Sequence, residues 1–448
     1  MTVRRVWVGA LALAAILAAC TGDPTTSTAP APTSTAPTPT GAPAGRISHE
    51  RTSAPSFTEA VRAICEAPDV PPSEPVDPDP LPPDIRSLVR QVERTRGLTF
   101  PDPVTAAGIS DDVMDRKIRE NFEIYALEEP LARRTAAWRT LGVIPPDADL
   151  RTALEAFITG QVVGFYDPAT GELVYLDEGA GLTPTAEITL AHELTHALED
   201  QRFDLARLDA IAARCRDEAY EAALGLVEGS ATYHGVLAAI GTGEDIDFGL
   251  LADAQLEALA SPPDGVPPFV YELESWPYID GPVFVQSIVQ RGDERAVDDA
   301  LGALPATTEQ IIHPEGYPSE LPRDLDIPDL TPAIGPGWGD LDAMVVGEEW
   351  LRAMLALRLD RAAAAEAAAG WDGGIYRAWS DGADVIVVME TAWDTPEDAD
   401  AFAGALETWV GDETNTSIVR IGEDQVTFVR ATDPDLVIDT DNDDAEGA

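Results

Sequence analysis

Two periodicities alternate along this chain. Between residues 56 and 159 apolar positions recur every three or four residues, which predicts short helices at 56–66, 84–96, 112–126, 131–141 and 151–159. The period then drops to two. Residues 162–166 and 172–176 are mostly apolar, β-branched or aromatic, and Asp167, Pro168 and Gly171 between them are turn formers, so a β-hairpin is predicted. Helical spacing resumes behind Thr183 and Pro184, a helix-start pair, and continues to about residue 204. A second long helix is expected over 209–239 and another near 281–291; a polar, loop-like segment covers 307–317, and an alanine-rich helical stretch spans 342–369. The last hundred residues mix the two periods: a strand at 385–389, a helix at 396–410, strands near 418 and 426, and an acidic tail from 433. The succession predicts an α+β fold with a smaller C-terminal α/β portion and no internal repeat.

The N-terminus breaks both patterns. Arg4 and Arg5 precede an apolar run from 6 to 19 that is too short for a comfortable membrane span and ends in Leu17-Ala18-Ala19-Cys20. The small residues before the cysteine resemble the lipobox of bacterial lipoproteins. That resemblance implies cleavage before Cys20, lipidation of its thiol, and a location at the cell membrane, facing outside the cytoplasm. Residues 21–47 are Thr, Pro, Ala, Ser and Gly with almost no charge. At ~3.1 Å per residue such a tether reaches about 80 Å. The expected organisation is therefore a signal peptide (1–19), the anchor and linker (20–48), a main domain (49–335), the C-terminal portion (336–432) and the tail (433–448).

The formal net charge of −51 changes the list of partners. Phosphate backbones need a basic footprint, so nucleic acid is not a partner. Anionic lipid headgroups are disfavoured for the same reason, which leaves the Cys20 anchor as the membrane contact. Besides Cys20 there are two cysteines, Cys65 and Cys215, an even pair in a chain that reads as exported; a disulfide between them is expected.

Two of the five histidines fall in His192-Glu193-Leu194-Thr195-His196. Residues i and i+4 share a helix face, so both imidazoles present to one point, as two ligands of a tetrahedral zinc must. Glu193 follows the first ligand and is placed to act as general base on water activated by one Zn2+ ion. A third ligand has to come from elsewhere. The extension HExxHxxGxxH is ruled out because Glu199 and Arg202 stand at its last two positions. An aspartate from a GTxDxxYG-like loop has a near match in 241–249, which leaves Glu244 or Asp245 as candidates. A glutamate on the following helix is the third option. Glu228 lies in the apolar run 223–231, where an unpaired carboxylate is costly and a metal removes the cost.

Residues 192–201, His-Glu-Leu-Thr-His-Ala-Leu-Glu-Asp-Gln, resemble the HELTHALQDQ segment of uncharacterised bacterial lipoproteins that group with the gluzincin zinc peptidases. Leu226-Val227-Glu228-Gly229 resembles their LVEG segment, Trp276–Gly281 with Phe284 and Val285 their PYxxGxxFV pattern, and Thr308–Tyr317 their STEQILHPEKY. The resemblance spans most of 85–410. It implies a gluzincin-like fold, Glu228 as the third ligand of a His2Glu site, and hydrolysis of a peptide or protein substrate. Such sites stabilise an oxyanion with a histidine or tyrosine. His313 is the expected residue and Tyr278 a weaker one; His234 reads as structural, and His49 carries no signal. The rival readings are a non-catalytic metal-binding lipoprotein and an amidase acting on cell-wall peptide.

Overall fold

A computed structural model describes residues 56–65, 81–159, 162, 164–177, 182–240, 248 and 262–436. Cys20, the linker, His49, Glu244, Asp245 and the end of the tail lie outside the described residues. The first half contains α1 (Phe57–Ile64), α2 (Pro83–Arg96), β1 (Ala107–Ile109), α3 (Asp111–Tyr125), α4 (Glu128–Leu141), α5 (Leu150–Ile158), β2 (Gly164–Asp167), β3 (Glu172–Leu176), α6 (Pro184–Phe203), α7 (Leu208–Ala212) and α8 (Asp217–Ile240). The second half contains α9 (Pro268–Ser275), α10 (Asp280–Gly292), α11 (Glu294–Gly302), α12 (Thr308–Ile312), α13 (Thr331–Ile334), β4 (Gly339–Val345), α14 (Glu348–Ala356), α15 (Arg361–Ala368), β5 (Trp371–Ser380), β6 (Val385–Trp393), α16 (Pro396–Val410), β7 (Thr416–Ile421) and β8 (Gln425–Ala431). The protein is a mixed α+β chain with two sheets.

The small sheet has the order β1-β3-β2. β2 and β3 form the expected hairpin, closed by Gly171 at φ +70, and β1 runs parallel to β3. α2 and α6 cover this sheet: Ile85, Leu88 and Val92 meet Leu190, Leu194 and Leu198 beside Leu173 and Tyr175. α8 packs on α6 with one side and on α10 with another, where Leu224 and Val227 join Trp276, Phe284 and Val285. The large sheet has the order β4-β5-β6-β8-β7. Its strand faces alternate with period two. Tyr376, Val387, Met389 and Phe428 face α16 and the N-terminal helix α4, whereas Ile375, Ile386, Val388 and Val429 face Phe57 of α1. One apolar core thus runs from Phe122 to Phe428, across the boundary expected at 335/336.

Several expected elements differ. The helix expected over 209–239 is two helices, because Cys215 takes φ +50 in the turn between α7 and α8 and is disulfide-bonded to Cys65. The stretch 342–369 opens as strand β4, where Asp342 is buried against Arg134 and Tyr376, and becomes helical only after Gly347. Residues 371–380, for which the sequence pattern predicted no strand, form β5. All pairings in the large sheet are antiparallel, so the C-terminal portion is α+β rather than α/β.

Two measurements probe this packing. A Cβ built on Gly229 would lie 2.3 Å from the Gly281 carbonyl carbon, at the α8–α10 crossing. Overpacking of this kind costs about 3 kcal/mol, so Gly229→Ala should lower the urea midpoint, while Gly302→Ala, which meets nothing within 4 Å, should not. The second concerns Glu218, at the start of α8, whose carboxylate accepts from Thr308 N at 2.5 Å and Oγ1 at 2.9 Å. Burial, opposed by those two bonds, pushes it up to about 8. A carboxyl raised in the folded state gives stability that is complete below the unfolded value and is lost as pH rises towards 8. Unfolding free energy should therefore fall between about pH 4.5 and 8, and Glu218→Gln should flatten that slope by up to ~1.4 kcal/mol per pH unit.

Candidate metal centre

The centre is built by two helices and an edge strand. Thr183 caps α6 by accepting from Ala186 N at 3.2 Å, and Pro184 occupies its first turn. His192 and His196 then lie one turn apart on the face turned to α8. Gly235 of α8 sits seven residues, two turns, after Glu228 and so shares its face. A Cβ at Gly235 would come within 2.8 Å of His192 N, so this glycine lets the two backbones approach at the site.

Three donor atoms meet in the gap. His192 Nε2 lies 2.9 Å from His196 Nε2 and 3.1 Å from Glu228 Oε2, and His196 Nε2 lies 3.4 Å from that same oxygen. All three side chains are fully buried, at 0 % exposure. Burial and the neighbouring imidazole lower His192, which favours its neutral, ligating form. Its Nδ1 faces Thr232 Oγ1 at 3.4 Å; a proton on Nδ1, donated there, leaves the Nε2 lone pair for the centre. Burial would raise Glu228, but the two imidazoles outweigh it and hold the carboxyl at about 2, as an anion. Its Oε1 is buried without a hydrogen-bond partner. Burial thus works against the charge on Glu228 and against a charge on His192, and the unpartnered Oε1 leaves the carboxylate only partly compensated. Two nitrogens and a carboxylate oxygen converging on one point are a donor set suited to a divalent cation, whose charge would complete the compensation. The residues present therefore fit a metal ion.

Glu193 is buried beside this set, and its Oε2 accepts from Tyr166 N at 2.8 Å. Tyr166 belongs to β2, an edge strand of the small sheet. The backbone that fixes Glu193 is thus that of an edge strand, and at Tyr166 its N–H is committed to the carboxylate. Tyr278 closes another side, its ring centroid 6.2 Å from that of His192.

His313 stands apart. It ends α12 and its Nε2 meets Glu348 Oε1 at 2.9 Å, a bond that raises its pKa against burial. No hydrogen bond joins it to the triad. His234 has a structural place, between Ser230 O at 2.8 Å and Glu294 Oε2 at 2.8 Å.

Sequence reasoning missed the layer below the centre. Glu199, one turn beyond His196, accepts from Arg96 Nε at 2.7 Å and Ser230 Oγ at 2.5 Å, and Arg96 also reaches Asp298 at 2.6 Å. Arg96 and Glu199 are both fully buried. They tie α2, α6, α8 and α11 together behind the ligands. The available signal was Glu199 itself, a charged residue on the ligand face of an apolar helix.

A domain of unknown function, DUF8575, matches residues 334–444, the segment that carries the large sheet. No curated protein and no solved structure matches the chain. Among the described residues no helix is long and apolar enough to cross a membrane.

Equilibrium dialysis of the purified chain against zinc should give one ion bound per chain. Glu228→Ala should weaken that binding more than ~100-fold, beyond what loss of an outer partner costs, whereas His313→Ala should leave it unchanged.

Proposed function

We propose that this chain is a zinc-dependent peptidase of gluzincin type, held outside the cytoplasm by a lipid on Cys20. The observation that carries the reading is the Glu193 carboxylate, buried beside a His2Glu donor set and oriented by the backbone of an edge strand. A carboxylate is not needed in that position by a purely structural metal site.

In this reading His192, His196 and Glu228 hold the ion. A zinc ion held there would supply Lewis acidity to a scissile carbonyl and lower the pKa of the attacking water. Glu193 takes the proton of that water and delivers it to the leaving amine. Tyr166 N–H fixes the carboxylate for both transfers. The peptide enters in extended form along β2. Tyr278, packed against His192, is better placed than His313 for the oxyanion; the pairing of His313 with Glu348 supports a role in packing α12 on α14 instead.

A diverse peptide library, incubated with the zinc-loaded chain and analysed by mass spectrometry, tests the reading. Wild type should cleave, and Glu193→Gln should keep its zinc while losing roughly 10²–10⁴-fold in rate. Zinc binding by both with cleavage by neither would leave a non-catalytic metal-binding lipoprotein.

A further inference from the structure

A cavity of about 80 Å³ lies between α4, the first turns of α8, α9 and the start of α14. It does not include the triad. Glu218 and Glu221 on its wall precede Glu228 by seven to ten residues of α8, which puts it about 10–15 Å along that helix from the metal ligands.

Its lining combines two chemistries. Trp138, Trp276 and Trp350 supply aromatic surface, and the wall is mostly apolar. Glu218, Glu221, Glu274 and Glu349 supply carboxylates. The one basic residue on the wall, Arg134, is already engaged by Asp342 at 2.9 Å and Asp217 at 3.5 Å. Glu349 is 1 % exposed; one of its oxygens pairs with Arg352 and the other, Oε1, is buried without a hydrogen-bond partner. Gly347, at the same wall, has no side chain, and a Cβ there would strike the Glu218 carboxylate. Burial raises Glu218 against its bonds from Thr308, and raises Glu349 against the pull of Arg352.

We infer that this cavity binds a primary ammonium group carried on a short aliphatic chain, the chemistry shared by a lysine side chain and a free alkyl diamine. The carboxylates accept the ammonium protons, the indole faces attract the charge, and the apolar wall takes the methylenes. The size agrees. One water needs ~10–15 Å³ by the same measure, so the cavity admits roughly five to eight small groups, and a butylammonium chain has five heavy atoms. The ligand must come from another molecule, because Lys117 is the chain's only lysine and is bound to Glu172 at 2.8 Å. Half-buried Glu221, Leu273 and Glu274 form the way in.

The inference does not depend on peptidase activity, and its test reads binding alone. Calorimetric titration of the full, zinc-loaded chain compares n-butylamine, cadaverine and Nα-acetyl-lysine amide with n-butanol and butyrate. The amines should bind at least tenfold more tightly than the alcohol, with butyrate not binding. Glu349→Gln should weaken the amines at least tenfold. Glu274→Gln, at the half-exposed entrance, should weaken them severalfold and serves if the buried variant fails to fold. Preference for acetyl-lysine amide identifies a peptide as the source, and preference for cadaverine a free diamine; both outcomes support the site. Equal binding of butylamine and butanol, or amine affinities unchanged in both variants, would overturn it, as would tight calcium binding without amine binding.

Discussion

Glu228 is a carboxylate with no access to water, and the organisation of the metal centre follows from keeping it there. An isolated anion in that position carries a large desolvation cost, and hydrogen bonding to His192 and His196 offsets only part of it, since Oε1 has no partner. A cation between the three would close the balance. The same demand explains the helix packing. Glu228 reaches the two histidines because α8 lies directly against α6, and that approach requires Gly235 under His192. On its other side α8 meets α10 through Gly225, Gly229 and Gly281, none of which has room for a methyl group. The ligand helix is thus clamped from both sides by absent side chains.

Behind the ligands the Arg96–Glu199 pair plays a supporting part. Both groups are fully buried, and each finds further partners: Ser230 for Glu199, Asp298 for Arg96. Removal of either would leave an uncompensated buried charge, which costs far more than the net worth of the pair. The pair therefore fixes the rotation of α6 and with it the direction of both imidazoles. Glu193 is oriented from the opposite side, by a backbone N–H of β2, so its position depends on the small sheet.

The large sheet is joined to the part that carries the triad through a common core. Trp138 of α4 packs edge-on against Trp350 of α14, and Arg134 is held by Asp342 of β4. The sheet is covered by the DUF8575 match, whereas the triad lies outside that match. Acidic side chains collect where the two parts meet, at Glu218, Glu309, Glu348 and Glu349, each with a carboxyl raised by burial. The strong negative charge of the sequence is therefore not only a surface property.

Local pattern was enough for much of this. The helix start at Thr183-Pro184, the 172–176 strand and the 396–410 helix are set by neighbours within a few residues, and the i, i+4 histidines carry their own geometry. Glu228 was legible because a charge in an apolar run demands a partner, whatever that partner is. What the sequence could not show depends on contacts between residues far apart in the chain, from 35 positions for His313 and Glu348 to 208 for Arg134 and Asp342. The break at Cys215 needs Cys65, 150 residues away, and the strand at Gly339–Val345 needs Arg134 and β5 to accept its buried aspartate. The resemblance that named His313 and Tyr278 carries no distance; only the folded chain pairs one with Glu348 and sets the other beside His192. Periodicity determines the faces of helices and strands, but which faces meet, and which side chains are left out between them, is decided by packing in three dimensions.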